Sequence, residues 1–381
     1  MSLAKANVFL LALAVLLAIP TAMQLRGETD VFKDVSRVPL LFDGFTSDNV
    51  GYVTLGQPKK EQPPPDPQNP DQKRPVEYDQ LVLQKTDKGF QTAMAGDRGG
   101  VPINKDRVES DVFAHLRAIR ADRETMVQPN ATPAQLEQFG LDDAHAFVIK
   151  VTDANSKNIV AQLMVGKDAG GGQAGADQVR GVYVRKSDSN DVILYELDRA
   201  WRRDVQETLW IDRTLVRVQP DKVRRLTIRN TATAGTTFTF EREVNKAFWN
   251  AVEPPADVGA VRQTEVESLV AKLANVVVQE YRVPMKAAGN LQQLGLLPPQ
   301  IEISFTTREG DQQREIRLNV GNRVDDKNEY YLTSSESQFL MTWPAGLVTQ
   351  FELDVKKQMF DPKGPSEPPT IPPPPEKDDK K

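Results

Sequence analysis

Apolar residues recur at every second position in two neighbouring stretches, Val223–Asn230 and Thr236–Glu243, where Leu226, Ile228, Phe238 and Phe240 alternate with polar side chains. A period of two belongs to a strand with one covered face, and the spacer Thr231–Gly235 suits a hairpin turn. Phe248-Trp249 then runs into Glu253-Pro254-Pro255, where proline removes a ladder donor and stops pairing. Next the period changes. Val266, Leu269, Val270, Leu273 and Val277 fall on one helical face and predict a helix over Gln263–Val277. After a Leu-Gly-Leu turn come four strand-like runs, Ile301–Phe305, Glu315–Val320, Glu329–Thr333 and Gln338–Thr342, the first two joined by a turn at Arg308–Asp311.

The same order is written upstream. Val108, Val112, Leu116 and Ile119 form an earlier helical stripe. Leu136-Glu137-Gln138-Phe139-Gly140-Leu141 returns as Leu291-Gln292-Gln293-Leu294-Gly295-Leu296, an offset of 155, and Val165-Gly166 returns as Val320-Gly321 at the same offset. Val108-Glu109-Ser110 answers Val266-Glu267-Ser268 and Phe90 answers Phe248, both at 158, while Tyr183 answers Tyr331 at 148. Each change of offset falls where a loop is expected, the last after the glycine-rich stretch Gly170–Gly175 that the second copy lacks. An ordered series with insertions confined to loops reads as duplication. Each copy is expected to run β-β-α-β-β-β-β with a short closing helix. The fold class expected is therefore α+β: two tandem repeats of antiparallel sheet packed on helix, after an N-terminal membrane helix.

The chain ends are of another character. Lys5 precedes an apolar run from Val8 to Ile19, the pattern of an export signal. Twelve strictly apolar residues are short of the roughly 20 of a full span, yet Ala6–Met23 extends the stretch to a marginal 18. A cut after Ala22 would place Pro20 at the -3 position, which favours an uncleaved signal anchor over a cleaved peptide. Residues 56–76 carry seven of the 27 prolines and 362–381 carry eight, with too little apolar surface to offset the entropy of ordering. The first reads as a loop insertion within a domain. The second reads as a tail whose proline run could also dock in an aromatic groove. The division expected is 1–27 signal anchor, 28–213 first repeat with the insertion at 56–76, 214–361 second repeat, and 362–381 disordered tail. The bulk of the chain is placed on the periplasmic side of an inner membrane crossed once.

A strand ending in Trp then Pro, an amphipathic helix, Leu-x-x-Phe/Leu-Gly-Leu, a strand ending in Val-Gly, and a Tyr-centred strand together resemble the bacterial domain-of-unknown-function family catalogued as 4340. The likeness covers roughly residues 77–213 and 217–361, with Gly140-Leu141, Gly295-Leu296 and the Val-Gly strand ends its most diagnostic pieces. The resemblance implies a membrane-anchored exported protein, in some cases linked to gliding-type ABC transporters, and carries over no catalytic residue.

Composition removes much chemistry. With no cysteine, thiol nucleophiles, disulfides, iron–sulfur clusters and cysteine zinc sites are excluded. The 53 acidic residues outweigh 48 basic ones, a net charge of -5 that argues against a nucleic-acid partner. Two histidines leave little room for a triad. His115 lies near the edge of the first helical stripe, matched by Leu273, and reads as a packed side chain. His145 follows Asp142-Asp143-Ala144 before a strand, too sparse a set for a metal site. Gly170–Gly175 lacks the Lys-Ser/Thr of a phosphate loop, and Asp325-Asp326-Lys327-Asn328 lacks the spaced oxygens and distal Glu of an EF-hand. Trp249 and Trp343 are expected to cover sheet edges at strand ends. Leu197, Trp201, Val205 and Leu209 are expected on one helical face between the copies, and Ile211-Asp212 and Phe360-Asp361 at each copy's closing position. No catalytic, cofactor-binding or metal-binding residue is expected. The function expected is a non-catalytic interaction module with protein partners in an envelope complex, or else a binder of an envelope polysaccharide or lipid in a groove between the repeats.

Overall fold

The structure is a computed structural model and describes residues 39–61, 75–93, 99–170, 181–197, 200–231, 236–243, 246, 248–352 and 354–363. The apolar run Val8–Ile19, most of the proline insertion, the loop after Gly170 and the proline-rich tail from 364 lie outside them. No helix among the described residues is long and apolar enough to cross a membrane. The chain divides into two compact units. One holds the residues up to Phe90 together with Asn104–Trp210; the other holds Gln91–Ile103 and everything from Ile211 onward.

In the first unit the hairpin strands are β1 (Tyr52–Pro58) and β2 (Tyr78–Thr86). Gly56–Pro58, expected to open the proline-rich loop, instead complete β1: Pro58 stands opposite Tyr78 at the last register position, where a missing N–H is tolerated. The chain turns through β3 (Gly89–Thr92) into the second unit, where β4 is Pro102–Ile103. It returns as helix α1, Lys105–Ala118, whose middle turn Glu109–Phe113 is a π-helix. Strand β5 (Met126–Gln128) and helix α2 (Pro133–Phe139) follow. Then come the consecutive strands β6 (Phe147–Thr152), β7 (Ile159–Ala169), β8 (Gly181–Lys186) and β9 (Val192–Glu196), and a last turn of helix, α3 (Glu207–Trp210). The sheet order is β4-β3-β2-β1-β6-β7-β8-β9-β5, and the pairs from β2 through to β5 run antiparallel. Register follows the alternation: Val53 stands opposite Leu83 and Val151, and Leu55 opposite Leu81 and Ile149, all of them buried. A slip of one residue would turn this apolar row to solvent, which is what holds the register.

The second unit is built on the same elementary preferences. Its elements are β10 (Thr214–Arg217), β11 (Val223–Asn230), β12 (Thr237–Glu241), β13 (Asn250–Val252) and β14 (Val258–Val261), then helix α4 (Gln263–Leu273). After β15 (Asn275–Val277) and β16 (Glu280–Pro284) come β17 (Ile301–Glu309), β18 (Gln312–Arg323), β19 (Glu329–Ser334) and β20 (Ser337–Pro344). Helices α5 (Ala345–Glu352) and α6 (Val355–Met359) lead to β21 (Phe360–Pro362), which pairs with β14. The main sheet runs β13-β12-β11-β17-β18-β19-β20-β16. Val266, Leu269, Val270 and Leu273 of α4 share one core cluster with Leu226, Ile228, Ile303, Phe305 and Leu318 of the strands. Burying each such side chain contributes about 2 kcal/mol before conformational entropy is subtracted.

Three sequence expectations change here. The helix predicted to reach Val277 ends at Leu273, and Asn275–Val277 pairs as β15 with β10, because the run Val276-Val277-Val278 is stiff at χ1 and suits extended backbone. Each copy was expected to have two strands before its helix and four after; short strands flank the helices as well. The first helix is not uniformly α. Its stripe at Val108, Val112 and Leu116 steps by four residues, which drifts about 40° per step on a helix of 3.6 residues per turn. The wider π turn absorbs that drift, and all three side chains, with Ile119, are fully buried.

Candidate functional site

The residues most diagnostic of the family resemblance meet in space. Thr132 caps α2 in a reciprocal capping box with Gln135, and Pro133 takes the first helical position. The helix ends on Gly140 in the left-handed region at φ 68°, where Leu141 N–H donates to the Leu136 carbonyl at 2.8 Å and Gly140 N–H donates to the Glu137 carbonyl at 3.0 Å. Gly166 of β7 lies beneath this turn. A Cβ there would stand 2.4 Å from the Phe139 carbonyl oxygen and 2.9 Å from Leu141. In the second unit Gly295 has the same φ of 68°, Leu296 N–H donates to the Leu291 carbonyl, and a Cβ on Gly321 would stand 2.3 Å from the Leu294 carbonyl oxygen. Lys167 Nζ donates to the Gln138 carbonyl at 2.9 Å, and Asn322 Nδ2 to the Gln293 carbonyl at 3.0 Å. Leu-x-x-Phe/Leu-Gly-Leu and Val-Gly are thus the two halves of a backbone-tight joint, which makes them signatures of packing.

Beyond the first joint a polar cluster forms. Asp142 accepts from His145 Nδ1 at 2.7 Å, on an exposed loop. Tyr78 of β2 donates its hydroxyl to the Asp143 carbonyl at 2.6 Å. Arg185 of β8 is buried and spends its guanidinium on backbone: Nε on the Leu141 carbonyl at 2.9 Å, Nη1 on Ser187 and Ser189. Burial lowers the affinity of Arg185 for its proton, and Asp143 and Asp142 nearby act against that. Burial also holds the Tyr78 hydroxyl above its usual range, reinforced by the same two carboxylates. Such an arrangement fixes a loop and leaves one Asp–His pair facing solvent. Among the described residues no group of three His, Asp or Glu side chains could hold a metal ion.

His115 is half-buried on α1. Its Nδ1 lies 3.1 Å from the Tyr195 hydroxyl, and its ring stacks 4.0 Å from Trp201, whose Nε1 donates to the Asp111 carbonyl. The helix expected through Leu197, Trp201, Val205 and Leu209 is not formed: 201–206 has no regular structure and only Glu207–Trp210 is helical. Trp201 and Trp210 are each buried and anchored through their own indole N–H, on Asp111 and Asp204, while Leu209 is left exposed. The two buried indoles, each satisfied by a backbone carbonyl, anchor the segment at both ends.

Trp249 and Trp343, expected at the margins, lie inside the second unit's core at 1% and 2% exposure. Trp249 donates to Glu267 and stacks under the Arg242 guanidinium. Asp325–Asn328 forms the turn between β18 and β19: Lys327 N–H donates to the Val324 carbonyl, and Arg323 closes the turn on Lys327 and Asn328. Ile211 bridges to Ile103, and Asp361 pairs with Arg262.

Arg185, Tyr78 and Tyr195 were not singled out from the sequence. An arginine inside the strand Gly181–Lys186 was a signal, since charge at a covered strand position needs acceptors, but the carbonyls that serve it come from distant turns. No curated protein and no solved structure matches the chain. Residues 97–282 match the family described as Domain of unknown function (DUF4340). The matched stretch begins within the first copy drawn from the sequence and ends within the second, so it does not itself separate two copies. The glycine-tight joint at Gly140 and Gly166 falls inside the match, and over that stretch the chain is similar to this family.

Proposed function

We propose that the chain is a duplicated α+β module, tethered by an N-terminal anchor on the extracytoplasmic face of a membrane, that serves as a non-catalytic auxiliary subunit of an envelope complex of the ABC-transporter type. The observation that carries the duplication is strand order. Apart from the two-residue edge strand β4, β3-β2-β1-β6-β7-β8-β9-β5 and β13-β12-β11-β17-β18-β19-β20-β16 pair off element by element in chain order. The joints at Gly140/Gly166 and Gly295/Gly321 fall at matching places in that scheme. Two copies of one sheet on one tether offer two linked contacts, which raises avidity without new chemistry. The apolar run Val8–Ile19 supports the tether, and the family resemblance supports the kind of complex.

Affinity capture of the full-length tagged chain from its native membrane in mild detergent, read by mass spectrometry, tests the reading. An ATPase and a permease recovered in stoichiometric amounts are the expected result. Recovery of the chain alone overturns the auxiliary-subunit assignment for any stable complex.

A further inference from the structure

In the second unit, the start of β11 departs from regular pairing. Val223 faces Thr307 and Arg225 faces Thr306 across β17, so Arg224 is an extra residue in the strand, a β-bulge. Bulges re-aim side chains, and here Arg224 turns into a cavity of about 280 Å³ whose wall also carries Arg225, Arg242, Arg308, Thr306 and Gln313. Two carboxylates complete the wall, and each has a cation of its own: Glu241 pairs with Arg225 at 2.7 Å and Glu243 with Lys246 at 2.7 Å. Arg242 is held by Glu267 and by the Pro220 and Val223 carbonyls. Arg308 donates to the Gly310 carbonyl and lies 3.9 Å from the fully exposed Asp311. Among the described residues Arg224 has no carboxylate partner, and the Nε groups of both Arg224 and Arg242 are buried without an acceptor. A buried charged donor left without an acceptor is costly.

We propose that this cavity binds one oxyanion of the phosphate class. Its oxygens would accept from Arg224 and Arg308, with the Thr306 hydroxyl and the Gln313 amide as neutral donors. Guanidinium groups present planar pairs of N–H donors that match phosphate oxygens. The excess of cations in the wall supplies the field that favours an anion over a neutral ligand. Free phosphate and the phosphodiester of a lipid headgroup share this chemistry. The site depends neither on the tether nor on the envelope complex proposed above.

Isothermal titration of the full chain in neutral detergent separates the outcomes, with inorganic phosphate and glycerophosphoglycerol as probes and acetate as the control. Saturable one-to-one binding is expected, at least tenfold weaker in Arg224→Gln and weaker in Arg308→Gln, whose half-exposed side chain makes it the safer variant for folding. Preference for inorganic phosphate assigns a free anion; preference for glycerophosphoglycerol assigns a headgroup. Absence of saturation with both probes, acetate binding as tight as phosphate, or wild-type affinity in a folded Arg224→Gln or Arg308→Gln chain would overturn the proposal.

Discussion

At Gly166 and Gly321 the backbone of a neighbouring turn comes closer than any side chain allows. A methyl group at either position would meet a carbonyl oxygen at 2.4 or 2.3 Å, and backbone cannot give way as a flexible side chain can. Gly166→Ala and Gly321→Ala should each cost roughly 2 kcal/mol, read as a lowered urea midpoint. Gly346→Ala, on α5 with nothing within 4 Å of the added atom, should be neutral or stabilising by up to about 1 kcal/mol. Equal effects at all three positions would contradict the joint. Tyr281 is another residue whose surroundings set a measurable property. Burial, and then Asp212, push its hydroxyl far above the ordinary range. Only the neutral phenol fits the fold, so its contribution is complete below the unfolded value of about 10 and is lost as pH rises past it. Between pH 9 and 11.5 the thermal midpoint of the wild type should fall more steeply than that of Tyr281→Phe; parallel curves would refute the assignment.

At the scale of elements, the segment Gln91–Ile103 belongs by contact to a unit other than the one its sequence neighbours build. Val101 joins the core cluster of the second unit, the Pro102 carbonyl accepts from Asp212 N–H, and a Cβ on Gly100 would touch Gln338 and Phe339. Val101→Asp places a charge in that core, where it has no counter-ion to offset desolvation. Hydrogen exchange should then accelerate in peptides covering Ser337–Pro344, while Tyr52–Pro58 keeps its protection. The opposite pattern would reassign the segment. The repeats in the sequence could not show this exchange, because Val-Pro-Ile carries the same apolar signal whichever core receives it. The two hairpin strands Val223–Asn230 and Thr237–Glu241, by contrast, were legible, because alternation and register follow from one covered face.

Across the whole molecule, the recurrence of the glycine-tight joint in both units links the two scales. Offsets of 155 between Gly140 and Gly295, and between Gly166 and Gly321, were readable because a turn that requires positive φ and a strand that tolerates no Cβ accept almost only glycine. The α+β class, most strands and the main helical stripes followed from local periodicity, which acts over a few residues and needs no partner, and the family resemblance from the short motifs around those glycines. The burial of Trp249 and Trp343, the loss of the helix around Trp201, and the bulge that turns Arg224 into a cavity did not. Each is settled by contacts between residues far apart in the chain, such as Val223 with Thr307 or Trp201 with Asp111. Sequence alone determined which segments seek a core and in which period. Only the tertiary structure decided which partners close around a given charge or indole, because desolvation depends on everything that surrounds a group at once.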